Sequence, residues 1–237
     1  IIMKNIVNTN NEWDRLEEVI VGRVENSMFP SWDFILKNTI PPEAIEYYHD
    51  SFSMKGLPIP PDIIEKANEN LESLIEVLKQ ANVKVRRPDI FDFNERFKTP
   101  FWEVETGVSS ANPRDVFLIV GDTIIECPMA DRGRYFEAFP YRTIMNELSL
   151  SGAKWISAPK PMLKKSLYNN FQKLDNEFSI NNLELTFDAA DFIRCGKNIV
   201  GQFSQVTNEK GVNWLKSILG EDYNIQLIKS QCKQALH

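Results

Sequence analysis

Cysteine and histidine are scarce in this sequence of 237 residues. The three cysteines are scattered without CxxC spacing, which argues against a disulfide framework and against a zinc site. Only two histidines are present, and the HExxH, Gly-rich phosphate-loop and GxGxxG motifs are missing. These absences disfavour metalloproteases, P-loop NTPases and Rossmann enzymes. The missing motifs agree with a chemistry that needs neither a metal nor an organic cofactor, which the resemblance described below implies.

A basic cluster and a long apolar run are missing as well. With a net charge of −6 and no concentration of Lys and Arg, the chain offers little to nucleic acid or to an anionic membrane. No segment reaches the roughly 18 apolar residues of a membrane span, and no signal-peptide pattern is found. We therefore expect a cytoplasmic protein with no nucleic-acid and no membrane partner. The content of 43% hydrophobic and 25% charged residues is typical of a folded globular protein.

The two ends of the sequence suggest a fragment. The chain begins Ile1-Ile2-Met3, without an initiator methionine at position 1. It stops at His237, shortly after the apolar run 225–228. This pattern predicts that the sequence is part of a longer protein.

The clearest helix is predicted in PPDIIEKANENLESLIEVLKQAN. Its apolar residues recur at spacings of three and four, which predicts one buried stripe made of Ile63, Ala67, Leu71, Leu74 and Leu78. Asp62 and Glu65 fit a capping box at its start. The segment VKVRRP that follows is typical of a short strand.

Strand, helix and strand recur three times along the chain. LEEVIVG precedes the helix just described. DVFLIVGDTIIECP precedes a predicted helix over 140–150 with AKWISAP as the next strand, and NIVGQ, NEKGVNWLKSIL and YNIQLIKS repeat the order. Because Gly- and Ser-rich linkers are absent, we expect one body of mixed α/β class. Residues 29–61 are predicted to form an ordered loop or lid, and residues 169–182 another loop.

Three aspartates are candidate site residues. In LELTFDAADFIRCGKN, Asp188 follows a predicted strand over 183–187, and Asp191 lies three residues further, so a tight turn would bring both carboxylates to one side. The alternative is that one of them caps a short helix. Asp115 stands between the turn residues Asn112-Pro113 and a predicted strand over 116–120, where α/β folds place ligand groups. An ordinary turn residue is the alternative there.

Long blocks of the sequence resemble the arginine:glycine amidinotransferase family, within the superfamily of enzymes that modify guanidino groups. The blocks are EWDRLEEVIVGR, VKVRRPD, KTPFWEVETG, NPRDVFLIVGDTIIECPMADRGRYFE, GAKWISAPKP, FDAADFIRCGKNI and SQVTNEKGVNWL, in the family's order. NPRDVFL, PMADR and FIRCG are most similar to the cyanobacterial branch that acts in saxitoxin-type toxin synthesis. The resemblance implies a β/α-propeller (pentein) of five modules, of which residues 1–237 form about three as one partial domain, and it allows a homodimer.

The resemblance also assigns roles to residues. Asp115 matches the aspartate that holds a guanidinium in the family, and Asp188 matches its catalytic aspartate. His237 falls where the family has its catalytic histidine. Two roles stay open for Asp191, which is either a second guanidinium partner or the anchor of its loop.

The cysteines depart from the family's pattern. None of Cys127, Cys195 and Cys232 matches the nucleophilic cysteine, which in the family lies in a block near the far C-terminus. Each is interpreted as a small buried hydrophobe or a loop thiol. The chain by itself is therefore expected to be an incomplete catalyst.

The chemistry implied by the resemblance is amidino transfer from L-arginine to an acceptor amine. Carboxylates match the paired N–H donors of a planar, permanently charged guanidinium. A cysteine takes the amidino group, and a histidine moves the protons. Three alternatives stay open: a glycine amidinotransferase that makes guanidinoacetate, an arginine hydrolase of the same superfamily, and a non-catalytic guanidine-binding protein.

Overall fold

The computed structural model describes residues 6–31, 33–40, 56–169 and 178–229. Cys232 and His237, discussed above, lie outside these ranges, as does the other histidine, His49. So do residues 41–55 of the predicted lid and residues 170–177 of the second predicted loop. Among the described helices, none is both long enough and apolar enough to cross a bilayer.

The described part of the chain contains short strands and five α-helices. The helices are α1 (Phe34–Thr39), α2 (Pro61–Gln80), α3 (Pro113–Val116), α4 (Arg142–Leu150) and α5 (Glu209–Leu219). The strands are β1 (Glu18–Ile20), β2 (Lys84–Arg86), β3 (Phe97–Lys98), β4 (Glu103–Val104), β5 (Phe117–Val120), β6 (Thr123–Glu126), β7 (Lys154–Ser157), β8 (Phe192–Cys195), β9 (Asn198–Gln202) and β10 (Asn224–Ile228).

The predicted repetition of strand, helix and strand is confirmed. Strands β1 and β2 pair in parallel on either side of α2 in the sequence. Strands β6 and β7 pair in parallel around α4, and β9 and β10 around α5. In the second and third units an additional strand, β5 or β8, pairs antiparallel with the first strand of the parallel pair. A parallel pair needs a long crossover, which the helix supplies in each unit.

Helix α2 buries the predicted stripe in part. Ile63 and Leu74 are 52% and 47% exposed, whereas Ile75 is 4% exposed. Ile64 and Leu71 lie on the same inward side as Ile75. Three of the five predicted residues are half-buried, and the other two, Ile63 and Leu74, were wrong by one position, because an apolar residue follows each of them and hydrophobic spacing alone does not decide which edge faces inward.

The predicted capping box of α2 was also wrong. The helix begins at Pro61, its N-cap is Pro60, and no side chain caps it. Asp62 therefore lies inside the first turn, where its charge still favours the positive end of the helix dipole. Proline needs no hydrogen-bond partner for a backbone N–H, so the start of this helix requires less capping.

Two predicted strands differ from the observed elements. Residues 183–187 form no strand, because Asn208 takes their backbone groups: its Oδ1 accepts from the N–H of Thr186, and its N–H donates to the carbonyl of Thr186. The predicted strand over 116–120 begins one residue later, at Phe117, because residues 113–116 form α3. Asp115 therefore lies in a helical turn.

Two buried clusters form the core. The larger lies among β5, β6, β8, β9, α4 and α5, and it includes Val116 and Ala189, the direct chain neighbours of Asp115 and Asp188. The smaller is aromatic and contains Phe93, Phe97, Trp102 and Tyr168. The two aspartates are thus attached to the rim of the larger cluster.

Candidate functional site

Asp115 and Asp188 meet at one guanidinium. Arg134 donates from Nη2 to Oδ2 of Asp115 over 2.9 Å and from Nη1 to Oδ2 of Asp188 over 3.4 Å. The two acids are 73 positions apart in the sequence, but they lie within the span of a single arginine head group. We call Asp115, Arg134, Glu137 and Asp188 the carboxylate cluster.

Arg134 stands at the end of a short 3-10 turn, Arg132–Arg134. The carboxylate of Asp131 accepts the N–H of Gly133 over 2.7 Å and so caps this turn. Glu137, three residues further, accepts from Nε of Arg134 over 2.9 Å, and its Oε2 also forms an ion pair with Nη2 over 2.8 Å. Glu137, a near neighbour in the sequence, therefore helps to orient the guanidinium that contacts the two aspartates.

Three carboxylates share one cation in a largely buried site. Asp188 is 1% exposed and Glu137 is 2% exposed. Burial raises the pKa of Asp188 well above its usual value, against the attraction of Arg134. Burial likewise raises the pKa of Glu137 to about 7, and Arg134 opposes that shift too. Burial alone would lower the pKa of Arg134, but the carboxylates outweigh it and hold that pKa well above its usual value.

One oxygen of the cluster lacks a donor. Oδ1 of Asp188 is buried and accepts no hydrogen bond within the described ranges. Its backbone N–H donates to Oγ1 of Thr207 over 3.1 Å, and the side chain forms no cap hydrogen bond with the turn that follows. The capping alternative for Asp188 is thus not what its side chain does. A buried acceptor without a donor costs about 1–3 kcal/mol, so this atom is suited to receive an N–H group from a ligand.

The carboxylate of Asp191 contacts residues outside the carboxylate cluster. Its carboxylate accepts from Nε2 of Gln202 over 3.0 Å, from Oγ of Ser204 over 2.6 Å and from Oγ1 of Thr207. The same Thr207 oxygen accepts the backbone N–H of Asp188. These contacts favour the role of loop anchor over the role of second guanidinium partner.

Asp191→Asn is expected to lower the free energy of unfolding by about 1–3 kcal/mol, because an amide has one accepting oxygen for three donors, two of which are buried. Urea unfolding of the variant and the wild type measures the loss. Asp222→Asn is the control, since Asp222 is exposed. An unchanged unfolding curve together with weaker arginine binding would instead assign Asp191 to the guanidinium.

The two described cysteines differ in environment. Cys127 is fully buried, and burial, reinforced by the charge of Asp188, raises the pKa of its thiol well above its usual value. Cys195 is partly exposed at the end of β8. Cys127 is thus held as a neutral thiol, which is a poor nucleophile. Within the described ranges, no group of three or more His, Cys, Asp or Glu side chains could hold a metal ion.

Sequence analysis missed three members of this region. Arg134 and Glu137 lie in PMADRGRYFE and Arg114 lies in NPRD, blocks that were recognised but from which only Asp115 was selected. Arg114 donates to the carbonyls of Ala189 and Phe192. A buried carboxylate pair requires a nearby cation, and this requirement was the available signal.

Known proteins resemble this chain in sequence and in structure, although no family model matches it. It is 40% identical over 231 residues to the L-arginine:L-lysine amidinotransferase of Pseudomonas savastanoi pv. phaseolicola, which covers 95% of this chain and 63% of that protein. It is 38% identical over 238 residues to the mitochondrial glycine amidinotransferase of Xenopus laevis, covering 96% of this chain and 56% of that protein. SxtG, an amidinotransferase from Microseira wollei in the saxitoxin biosynthetic pathway, superposes with a TM-score of 0.90 at 47% identity, over 98% of this chain and 65% of that one.

The chain belongs to the amidinotransferase family. This confirms the resemblance predicted from the sequence blocks. The inosamine-phosphate amidinotransferase of Streptomyces griseus also matches, with a TM-score of 0.87 at 34% identity, over 97% of this chain and 65% of that one. The chain spans less than two thirds of the length of each of these relatives.

More distant structures share the fold alone. Dimethylarginine dimethylaminohydrolase superposes with a TM-score of 0.54 at 12% identity, over 92% of this chain and 63% of that one. The structural matches therefore confirm the α/β propeller, or pentein, fold class that the resemblance implied for this chain.

Proposed function

We propose that this chain is part of an enzyme that moves the amidino group of L-arginine, through a cysteine intermediate, to an acceptor amine in saxitoxin-type toxin biosynthesis. The observation that carries the proposal is the convergence of Asp115 and Asp188 on a single guanidinium. Residues that already accept one guanidinium have the spacing and charge to accept part of a second. The enzyme acts in the cytoplasm, as a homodimer, without metal or organic cofactor.

In the proposed reaction the carboxylates hold the guanidinium of arginine flat. Asp115 is the main guanidinium partner, whereas Asp188, whose buried Oδ1 has no donor within the described ranges, orients the catalytic histidine and stabilises its charged form. The three acids of the carboxylate cluster contact a single cation, Arg134, so a second cation in this place favours their ionised forms. Its desolvation cost of several kcal/mol is offset by these paired contacts.

Two displacements at one carbon then transfer the group. A cysteine thiolate attacks the guanidinium carbon, the bond from that carbon to the ornithine nitrogen breaks, and His237 gives the departing amine a proton. The acceptor amine next attacks the amidino carbon, the carbon–sulfur bond breaks, and the histidine takes the proton of the amine. We assign the nucleophile to a cysteine in the part of the protein that this sequence does not span, because none of Cys127, Cys195 and Cys232 matches the nucleophile of the family and burial raises the pKa of the Cys127 thiol.

A glycine amidinotransferase is the second candidate. It is favoured by the 38% identity to the glycine enzyme of Xenopus laevis. The two candidates share the donor half-reaction, and they differ only in the amine that collects the group. The acceptor must therefore be found by offering amines, with glycine and lysine as the first pair.

The test is to incubate the full gene product with arginine labelled in its guanidino carbon. We expect label on the denatured protein, release of ornithine, and passage of the label to an amine only when one is supplied. Cys127→Ala is the matched control and should retain the label, because the proposal gives this thiol no role. Citrulline in place of ornithine would establish a hydrolase, and absence of both products would leave a guanidine-binding protein.

A further inference from the structure

The two aspartates of the carboxylate cluster belong to different strand-helix-strand units. Asp115 lies on α3, which leads into β5, whereas Asp188 precedes the 3-10 turn Ala189–Asp191, which leads into β8. Their separation is therefore set by the way in which the two units dock. A planar guanidinium tolerates little error in the separation of the two carboxylates, because each of them must accept from N–H donors at about 2.9 Å.

Arg114 joins the two units at this place. Its Nη1 donates to the carbonyl of Ala189 and its Nη2 to the carbonyl of Phe192, each over 2.6 Å. Ala189 begins the 3-10 turn and Phe192 directly follows it. One guanidinium thus holds both ends of the turn that carries Asp191 and follows Asp188.

Arg114 and Asp115 are chain neighbours with different partners. Asp115 accepts from Arg134, while Arg114 donates to the backbone of the other unit. A single dipeptide therefore supplies one carboxylate of the cluster and a brace on the segment that supplies the other. Any movement of the turn relative to α3 must stretch both bonds of Arg114.

Apolar packing does not supply this precision. Val116, Ala189 and Phe192 are buried between the two units, but apolar contact is non-directional and allows small sliding movements. Two hydrogen bonds from a rigid, planar fork define both position and orientation. Glu12, which Arg194 holds, lies 3.7 Å from Nη2 of Arg114 and adds an acidic neighbour to the guanidinium.

We propose that Arg114 is a positioning residue for amidino transfer, which fixes the separation of Asp115 and Asp188 by bracing the turn Ala189–Asp191. The kinetic part of this inference rests on the proposed function. Lysine keeps the charge but lacks the planar fork, so it does not hold both carbonyls in the same geometry. A misplacement of about 1 Å in such a site costs on the order of 10²-fold in rate.

The test uses the full gene product with Arg114→Lys and Arg114→Met. Both variants are expected to lower kcat by about 10- to 100-fold with a smaller change in KM for arginine. Hydrogen–deuterium exchange at the amides of residues 189–195 should become faster in both. Arg23→Lys is the matched control, because Nε of Arg23 also donates to a distant carbonyl, that of Pro88, over 2.6 Å, and it should leave kcat unchanged.

Three outcomes separate the brace from its alternatives. The proposal is overturned if both Arg114 variants keep the kcat of the wild type. It is also overturned if Arg114→Lys keeps that kcat while Arg114→Met loses it, since the positive charge alone would then suffice. If the wild type transfers no amidino group, the proposed function fails and amide exchange decides alone. Faster exchange over residues 189–195 in the variants then supports the brace, and unchanged exchange overturns it.

Discussion

Asp188→Asn is expected to lower the turnover of the full gene product by about 10²- to 10⁴-fold while changing arginine binding much less. The side chain is 1% exposed, and its Oδ1 has no donor in the described ranges. In the proposed reaction this acid orients the catalytic histidine and stabilises its charged form, as the acid of a catalytic triad does. A neutral amide keeps the shape of the carboxylate but loses the charge. Steady-state kcat and KM for arginine measure the effect.

Asp115→Asn is the matched comparison, with the opposite signature expected. It removes the charge that faces a guanidinium, and a charge-assisted hydrogen bond is worth about 1.5–3 kcal/mol, which corresponds to roughly a 10- to 100-fold higher KM. The effect on kcat should be smaller. Calorimetric titration with arginine separates binding from turnover in both variants. Equal losses confined to binding would contradict the division of roles between the two aspartates.

Arg134→Met is expected to cost about 3–5 kcal/mol of unfolding free energy at neutral pH, because it leaves the carboxylates of Asp115, Glu137 and Asp188 buried without their shared cation. The loss should depend on pH in a defined direction. Burial already raises the pKa values of Asp188 and Glu137, and removal of the guanidinium raises them further. The folded state then binds more protons than the unfolded state, so stability is retained below the unfolded pKa values of about 4 and falls as the pH rises through the folded values.

Urea unfolding at pH 5 and pH 8 tests this prediction, with Arg86→Met as the matched control. Arg86 also lies between two acids, Glu18 and Glu147, and its side chain is 19% exposed against 17% for Arg134. Its partners are 33% and 59% exposed, so the control should lose only about 0–1 kcal/mol. Equal losses in the two variants, or a loss in Arg134→Met that does not grow with pH, would contradict the interpretation of the carboxylate cluster.

The order of secondary structure could be predicted from the sequence because it depends on local periodicity. The helix over 140–150 and the strand AKWISAP correspond to α4 and β7, and NIVGQ, NEKGVNWLKSIL and YNIQLIKS to β9, α5 and β10. Where local patterns were ambiguous, the predictions were wrong. Residues 183–187 have the composition of a strand, but Asn208, which is far along the chain, takes their hydrogen bonds.

The sequence by itself determined the family and singled out Asp115, Asp188 and Asp191, because long blocks of matching residues and acids beside apolar runs are visible without coordinates. It left two roles open for Asp191, and only the tertiary structure gave that carboxylate its partners Gln202, Ser204 and Thr207. The tertiary structure also supplied the cation of the site and the brace. Arg134 meets an acid 54 positions away, and Arg114 meets a carbonyl 75 positions away. No periodicity encodes such pairs, because they depend on how separate strand-helix-strand units dock around a shared core.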